Sequence, residues 1–219
     1  MKNLLNCQIV ICCLLFSCHV LAKENINKSA LVLIEYQNEW VSPKGRLRNL
    51  LVKDKKAFAQ AISQSQQLLA KARQHQMHIV HVTLKPDANY QIFGNAQFGL
   101  RAAIKKAKTW QGDMANIHPD FQPKAGEFVV SERSGASAFA GSNLDSYLRN
   151  NDITTLYLAG FATHVCVEST LREAHDKGYT TYVVTDATGA FTQQQQNYFE
   201  DEILHHFGKG ILVEAFDAI

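Results

Sequence analysis

Residues 155–179, TLYLAGFATHVCVESTLREAHDKGY, decide the fold of this chain. The opening run, TLYLAGF, is continuously apolar, which is typical of a strand buried on both faces of a parallel sheet. The residues after it have helical spacing, and Gly178 is placed to end a helix that we predict over 166–177. Thr163 can cap this helix, which puts Cys166 in its first turn. A buried strand that leads directly into a helix is half of a β–α–β unit.

The same alternation extends along the chain. Further apolar runs predict strands at 30–36, 78–84, 127–131, 180–186 and 210–216, and helical patterns lie between them at 54–74, 99–108, 143–150 and 195–207. Alternating strands and helices predict parallel units whose right-handed crossovers place helices on both faces of the sheet. We therefore predict an α/β fold with a three-layer, doubly wound, mostly parallel six-stranded sheet.

The N-terminal segment has the pattern of a targeting signal. Residues 1–22 combine Lys2 with a short apolar stretch and a small-residue cleavage pattern that ends at Ala22. This pattern predicts a signal peptide, and hence an exported protein, periplasmic or secreted, with a single domain over 23–219. Two alternatives stay open. LFSC resembles a lipoprotein box, which would lipidate Cys18 and anchor the protein to a membrane, or the segment could stay as an uncleaved anchor.

The predicted mature body is nearly neutral and contains one thiol. Removing residues 1–22 leaves 21 basic and 20 acidic residues, a net charge of +1, and nothing in this composition indicates a nucleic-acid partner. The only cysteine left is Cys166, so no disulfide can form within the body. A lone thiol retained in an oxidising compartment hints at a chemical role, although an inert buried cysteine is the commoner case.

Reactive side chains follow three of the predicted strands. Glu35 and Gln37 end the first, Arg133 follows the third and Cys166 follows the fourth. Ligands of open parallel sheets bind beyond the carboxyl ends of the strands, so we expect these side chains to meet there. A helix N-terminus favours thiolate, and a carboxylate, a cation and a thiol are a minimal set for covalent acyl transfer.

These residues lie in segments that resemble the isochorismatase-like cysteine hydrolases, the family that includes nicotinamidases and other small-amide hydrolases. The likeness covers roughly 28–215 and is carried by ALVLIEYQNEW, IHPDFQPKAGEFVV, YVVTDAT and above all the AGxxTxxCV core around Cys166. The family uses an Asp-Lys-Cys triad. The resemblance implies that Cys166 is the nucleophile, with Glu35 in place of the aspartate and Arg133 in place of the lysine.

The resemblance also implies details of the site. The family has a non-proline cis peptide, which would fall between Phe161 and Ala162, and backbone N–H groups of Ala162 and Cys166 would form the oxyanion hole. We expect Gln37, Trp40 and Phe139 to bind substrate, because they lie beside the catalytic residues in sequence. The segment 85–110 contains four aromatic residues that could cover a small planar substrate or simply pack: Tyr90, Phe93, Phe98 and Trp110.

Differences from two branches of the family narrow the range of expected substrates. True isochorismatases lack the nucleophilic cysteine, so Cys166 argues against that reaction. Metal-dependent nicotinamidases carry an Asp-x-His cluster after the second strand, whereas this chain reads VHVTLKPDANYQIFGN there. We therefore expect no metal or other cofactor, disfavour nicotinamide, and interpret His81 as a packed histidine.

The resulting expectation is an exported cysteine hydrolase that cleaves an amide or ureido C–N bond of a small molecule through a thioester on Cys166. The alternative is an inactive small-molecule-binding protein on the same fold, in which Glu35 and Arg133 form a plain ion pair. Homo-oligomers are common in the family and are expected here.

Overall fold

The computed structural model describes residues 26–218. The predicted signal peptide and the alternative lipidation site at Cys18 lie outside these residues and stay predictions. No helix among residues 26–218 combines the length and the apolar character needed to cross a membrane.

A six-stranded sheet organises the described part of the chain. The strand order is β3-β2-β1-β4-β5-β6, and every neighbouring pair is parallel. The predicted α/β fold is therefore confirmed, and the sheet is wholly rather than mostly parallel. The strands are β1 (Ser29–Ile34), β2 (His78–Val82), β3 (Phe128–Val130), β4 (Thr155–Phe161), β5 (Thr180–Gly189) and β6 (Lys209–Ile211).

Helices connect the strands at the predicted places. The α-helices are α1 (Asn38–Val41), α2 (Arg46–Leu51), α3 (Lys55–Gln74), α4 (Gly99–Ala107), α5 (Leu144–Asn150), α6 (Glu168–Asp176), α7 (Gln193–Tyr198) and α8 (Leu204–Phe207). A π-helical turn at Thr163–Val167 runs into α6, and another at Phe199–Ile203 joins α7 to α8. Short 3-10 turns occur at Gln91–Phe93, Gly112–Ala115, Pro119–Phe121 and Val213–Ala218. The helical patterns did not predict α1 and α2, which are too short to show a period.

Both faces of the sheet are covered, which explains the continuous apolar runs. Every residue of β1 is buried. Because side chains alternate along a strand, Leu31 and Leu33 join a core cluster that includes Phe58 of α3. Ala30, Val32 and Ile34 of β1 join a second cluster with Leu148 of α5 and Leu171 of α6.

The last predicted strand, 210–216, is mostly wrong. β6 ends at Ile211, and a 3-10 turn begins at Val213. The carboxylate of Asp186 in β5 accepts the backbone N–H of Val213 at 3.0 Å, so this N–H is not available to extend the sheet. An apolar run does not reveal such a competing acceptor.

The topology places a crevice at one point of the sheet. β1 and β4 are neighbours, with β2 and β3 on one side and β5 and β6 on the other, so the strand order reverses between them. Ligands of such sheets bind beyond the carboxyl ends of the strands at this reversal. Glu35 follows β1 there, and the turn that contains Cys166 follows β4.

The two central strands approach closely just before this crevice. Gly160 has a φ of 126°, and a Cβ atom at Gly160 would lie 2.1 Å from the carbonyl oxygen of Ile34. Only glycine meets both conditions, because it has no Cβ and tolerates positive φ.

We predict that Gly160→Ala destabilises the protein by at least about 2 kcal/mol in the free energy of unfolding, because β1 and β4 must separate. Urea denaturation measures the change. Gly178→Ala is the matched control, since Gly178 has a φ of 83° but no neighbouring atom within 4 Å of its Cβ position. Equal destabilisation by both substitutions would contradict a role for the close approach.

Candidate active site

Glu35, Arg133 and Cys166 meet beyond the carboxyl ends of the strands, as the sequence predicted. Oε1 of Glu35 accepts a hydrogen bond from Nη1 of Arg133 at 2.6 Å and from Sγ of Cys166 at 3.2 Å. The three residues are 2%, 4% and 7% exposed, so this contact is shielded from water. One carboxylate oxygen therefore contacts both the cation and the thiol.

The chain holds Glu35 in a rigid position. Its φ of 60° lies in the left-handed region, which is uncommon outside glycine, and its backbone N–H donates to the carbonyl of Val82 at 2.8 Å. Its second carboxylate oxygen, Oε2, accepts the indole N–H of Trp40 at 2.7 Å. Both oxygens are thus hydrogen-bonded, which orients Oε1 toward the thiol.

Arg133 organises the loop that carries it. Its guanidinium donates to the carbonyl of Ser137 at 3.2 Å and to the carbonyl of Ala136 as well as to Glu35. Burial alone would lower the pKa of Arg133, but the charges of Glu35 and Cys166 offset this effect and raise it. The guanidinium is therefore a permanent positive charge beside the thiol.

The helix that carries Cys166 begins differently from the prediction. Its N-cap is Ala162, without a side-chain cap, and the hydroxyl of Thr163 donates instead to Oε1 of Gln196 at 2.7 Å. The predicted cap at Thr163 is therefore wrong, because Gln196 competes for its hydroxyl. Cys166 still lies in the first turn, within the π-helical segment.

The surroundings of the thiol favour its neutral form. Burial, followed by the negative charge of Glu35, raises the pKa of Cys166 to about 12, although Arg133 acts in the opposite direction. Burial therefore opposes the resting thiolate that the helix N-terminus was expected to favour. A neutral thiol hydrogen-bonded to a carboxylate is a nucleophile that needs a base, and Glu35 is placed to be that base.

The peptide bond between Phe161 and Ala162 is cis, as the resemblance implied. Ala162 and Cys166 both line the cavity described next. The oxyanion hole formed by their backbone N–H groups stays a prediction.

A cavity of about 390 Å³ opens onto the three catalytic candidates. Its walls are mainly apolar and come from α1, α2, α4 and the loops that follow the strands. The wall residues are Trp40, Leu47, Leu51, Leu84, Phe93, Ala96, Phe98, Gly99, Leu100, Arg101, Ile104, Trp110, Ser134, Gly135, Ala136, Val165 and Phe191. A cavity of this size and lining is typical of small-molecule sites.

Two of the three predicted substrate-binding residues lie elsewhere. Trp40 lines the cavity, but the amide of Gln37 is used by the backbone of Leu84 and Ala115 and by the indole of Trp110. Phe139 stacks on Tyr179 in the core. The expectation that Gln37 and Phe139 form the pocket wall is therefore wrong, because closeness in sequence does not determine where a side chain points.

The covering segment, residues 85–110, contributes three of its four aromatic residues to the cavity. Phe93 and Trp110 are buried there, whereas Phe98 is 90% exposed at its edge. Tyr90 does not line the cavity, and its hydroxyl donates to the carbonyl of Thr109 at 2.7 Å. Phe93, Phe98 and Trp110 of this segment therefore cover the cavity, whereas Tyr90 packs within the segment itself.

Sequence reasoning missed the supporting role of three residues, one of which, Trp40, it named only as a substrate-binding candidate. The Trp40 indole orients Glu35, as described above. The hydroxyl of Thr170 donates to the carbonyl of Cys166 at 2.7 Å and accepts the N–H of Ala138 at 2.9 Å, which joins the helix that carries Cys166 to the loop that carries Arg133.

The buried carboxylate of Glu39 accepts the N–H groups of Leu47 at 2.7 Å and Trp110 at 3.3 Å. An acidic residue directly before Trp40 was an available signal for Glu39, whereas Thr170 gave none.

Histidine and acidic residues do not cluster as a metal site would require. Among residues 26–218, no group of three or more His, Cys, Asp or Glu side chains is placed to hold a metal ion. His81 is buried, as predicted, and contacts Glu127 at 2.8 Å. The expected lack of a cofactor stays a prediction.

We predict that Glu35→Gln accelerates the alkylation of Cys166 by iodoacetamide at pH 8. Removing the carboxylate leaves Arg133 as the nearest charge, so the pKa of the thiol falls and the rate rises by about tenfold or more. In the unchanged protein, the rate should rise about tenfold per pH unit from pH 7 to 10 without a plateau. Mass spectrometry of the Cys166 peptide measures both.

Glu173→Gln is the control and should leave the rate unchanged, because Glu173 is half-buried on α6 beside Lys177 and does not line the cavity. A plateau below pH 9 in the unchanged protein, or slower alkylation of Glu35→Gln, would show that the carboxylate does not suppress the thiolate.

Curated proteins similar to this chain share its family. The chain is 31% identical over 210 residues to the ureidoacrylate amidohydrolase RutB of Stutzerimonas stutzeri, which covers 87% of this chain and 82% of RutB. It is 30% identical to the secreted isochorismatase effector Isc1 of Verticillium dahliae over 74% of this chain and 72% of Isc1. The similarity to YrdC of Bacillus subtilis, an uncharacterised isochorismatase family protein, is 35% over 42% of this chain, and the chain spans about half of YrdC (51%).

Solved structures and a family model agree with these relatives. A cysteine hydrolase from Pseudomonas syringae pv. phaseolicola has the same fold, with a TM-score of 0.73 at 20% identity over 88% of this chain and 92% of that protein. An isochorismatase family protein from Desulfovibrio vulgaris gives a TM-score of 0.68 at 25% identity over 87% and 97%. The isochorismatase domain model matches residues 29–215. The chain therefore belongs to the isochorismatase-like hydrolase family that its motifs resemble.

Proposed function

We propose that this protein is an exported cysteine hydrolase that cleaves a C–N bond in small amides or ureido compounds. The observation that carries the proposal is the shared oxygen of Glu35, which contacts the thiol of Cys166 at 3.2 Å and the guanidinium of Arg133 at 2.6 Å beside a cavity of about 390 Å³. A base, a nucleophile and a fixed positive charge are thus in mutual contact.

In the first step, Glu35 removes the proton from the thiol as the sulfur attacks the substrate carbonyl carbon. The S–H bond breaks, an S–C bond forms, and the carbonyl oxygen becomes an oxyanion. Because burial favours the neutral thiol, the attack needs Glu35 as a general base. The backbone N–H groups of Ala162 and Cys166 are the proposed donors to the oxyanion.

In the second step, the protonated carboxyl of Glu35 returns the proton to the nitrogen of the leaving group. The C–N bond breaks, ammonia or an amine departs, and an acyl or carbamoyl thioester remains on Cys166. Glu35 then takes a proton from water, whose oxygen attacks the thioester, and the departing sulfur recovers a proton. The products are an acid, or carbamate, and the amine.

Arg133 changes how the proton can move. A guanidinium stays charged at accessible pH, so Arg133 cannot relay a proton as a lysine with a lowered pKa can. Glu35 therefore carries each proton transfer alone. Arg133 stabilises the ionised carboxylate and the developing thiolate, which are both within its reach.

Relatives support the reaction class and the export. RutB is named for hydrolysis of a ureido compound, and Isc1 is named as secreted. The targeting pattern in residues 1–22 agrees with export.

A second candidate function is that of a binding protein without turnover. It is favoured by the raised pKa of Cys166 and by a buried Glu35–Arg133 ion pair that could serve stability alone. The two functions differ in one measurable property, the release of ammonia or amine from a substrate.

We predict that Cys166→Ala and Cys166→Ser each lower kcat by at least about a thousandfold, because the covalent step is lost. Release of ammonia from a panel of small amides and ureido compounds measures the rate, and the melting temperature shows whether the fold is retained. Full turnover by Cys166→Ala would refute the covalent mechanism. Absence of turnover by the unchanged protein on the whole panel would favour the binding protein.

We predict that Arg133→Lys lowers kcat/KM by about tenfold or more and also lowers the melting temperature. An ammonium group can pair with Glu35, but it cannot also donate along the planar fork to the carbonyls of Ser137 and Ala136. Substrate hydrolysis and thermal unfolding measure the two effects. Arg172→Lys, an exposed partner of Glu168, is the matched control. Higher activity in Arg133→Lys would show that proton relay, and not the loop, limits the reaction.

A further inference from the structure

The covering segment has a strong charge imbalance. Residues 85–110 contain five basic residues and one acidic residue, Asp87, a net charge of +4 in a chain whose total is +2. Four of the basic residues lie on or directly after α4, at positions 101, 105, 106 and 108. The part of the protein that faces an incoming ligand is therefore electropositive.

Arg101 brings this charge to the cavity. It lines the cavity on α4, together with the apolar side chains of Leu100 and Ile104. It forms no hydrogen bond or ion pair within residues 26–218. The other charged residues of the cavity wall, Glu35 and Arg133, are paired with each other. Arg101 thus supplies the cavity's uncompensated charge.

The surroundings leave this charge open to a ligand. Arg101 is an exposed residue that lines the cavity, and the mainly apolar wall beside it offers an anion few other polar partners. A guanidinium can bind both oxygens of a carboxylate along its planar fork. Arg101 is the single unpaired cation of the wall within the described residues, which matches one negative charge better than the two of a phosphate ester.

We propose that Arg101 is a specificity-determining residue that binds a carboxylate of the substrate, so that the enzyme acts on small amides or ureido compounds that carry a carboxylate. This inference rests on the proposed function, because it assigns the part of the substrate that does not react. The reacting carbonyl contacts Cys166, and the carboxylate lies toward α4.

The test compares two alkylating reagents of similar size at Cys166, anionic iodoacetate and neutral iodoacetamide. The ratio of their second-order rate constants reports attraction of an anion into the cavity. Mass spectrometry restricted to the Cys166 peptide separates this thiol from Cys7, Cys12, Cys13 and Cys18. Arg101→Gln should lower the iodoacetate-to-iodoacetamide ratio by about fivefold in low salt, and Arg101→Lys should restore most of it.

The control is Lys106→Gln, which removes one charge from the same helix at a residue that does not line the cavity. This variant should change the ratio by less than about twofold, because Lys106 does not line the cavity and an exposed charge that makes no direct contact is screened by water. Added salt should reduce the ratio in the unchanged protein toward that of Arg101→Gln.

Equal ratios in Arg101→Gln and the unchanged protein would overturn the inference, as would an equal loss in Lys106→Gln, which would indicate general charge instead of a specific contact. Alkylation requires no turnover. Failure of the proposed hydrolysis, seen as absence of turnover by the unchanged protein on the substrate panel, is therefore distinct from failure of the carboxylate site.

Discussion

The site depends on one buried carboxylate oxygen that two donors share. Arg133 and Cys166 both contact Oε1 of Glu35, while Trp40 holds the other oxygen. Burying an ion pair costs solvation, and this cost is offset only when the geometry is good and the remaining hydrogen bonds are made. The same carboxylate oxygen that ties the arginine loop to the end of β1 therefore also accepts the hydrogen bond of the thiol.

The parallel sheet makes this interaction possible. Arg133 and Cys166 are 98 and 131 residues from Glu35 along the chain, yet all three residues follow the carboxyl end of a strand. Strand order reverses between β1 and β4, which leaves room for a ligand beyond the close approach of these strands at Gly160. The position of the site is thus a consequence of topology, and its chemistry is a consequence of which residues end the strands.

The fold and the catalytic candidates could be predicted from sequence because both depend on patterns along the chain. Buried strands are continuously apolar, and Glu35, Arg133 and Cys166 stand where such runs end. These patterns do not predict how deeply a side chain is buried or which way it points. Burial, which raises the pKa of Cys166, and the backbone contacts that take the amide of Gln37 away from the cavity both come from residues distant in sequence. The early end of β6 has the same origin, in the carboxylate of Asp186.

The buried carboxylate of Glu39 has a consequence for how the family can vary. It joins the backbone of Leu47 to that of Trp110, at the start of α2 and the end of the covering segment. Both attachments lie outside the stretch from Phe98 to Ile104, which presents its side chains to the ligand. The side chains of that stretch can therefore change without loss of the Glu39 contacts or of the reacting groups. Ligand preference can thus change independently of bond cleavage.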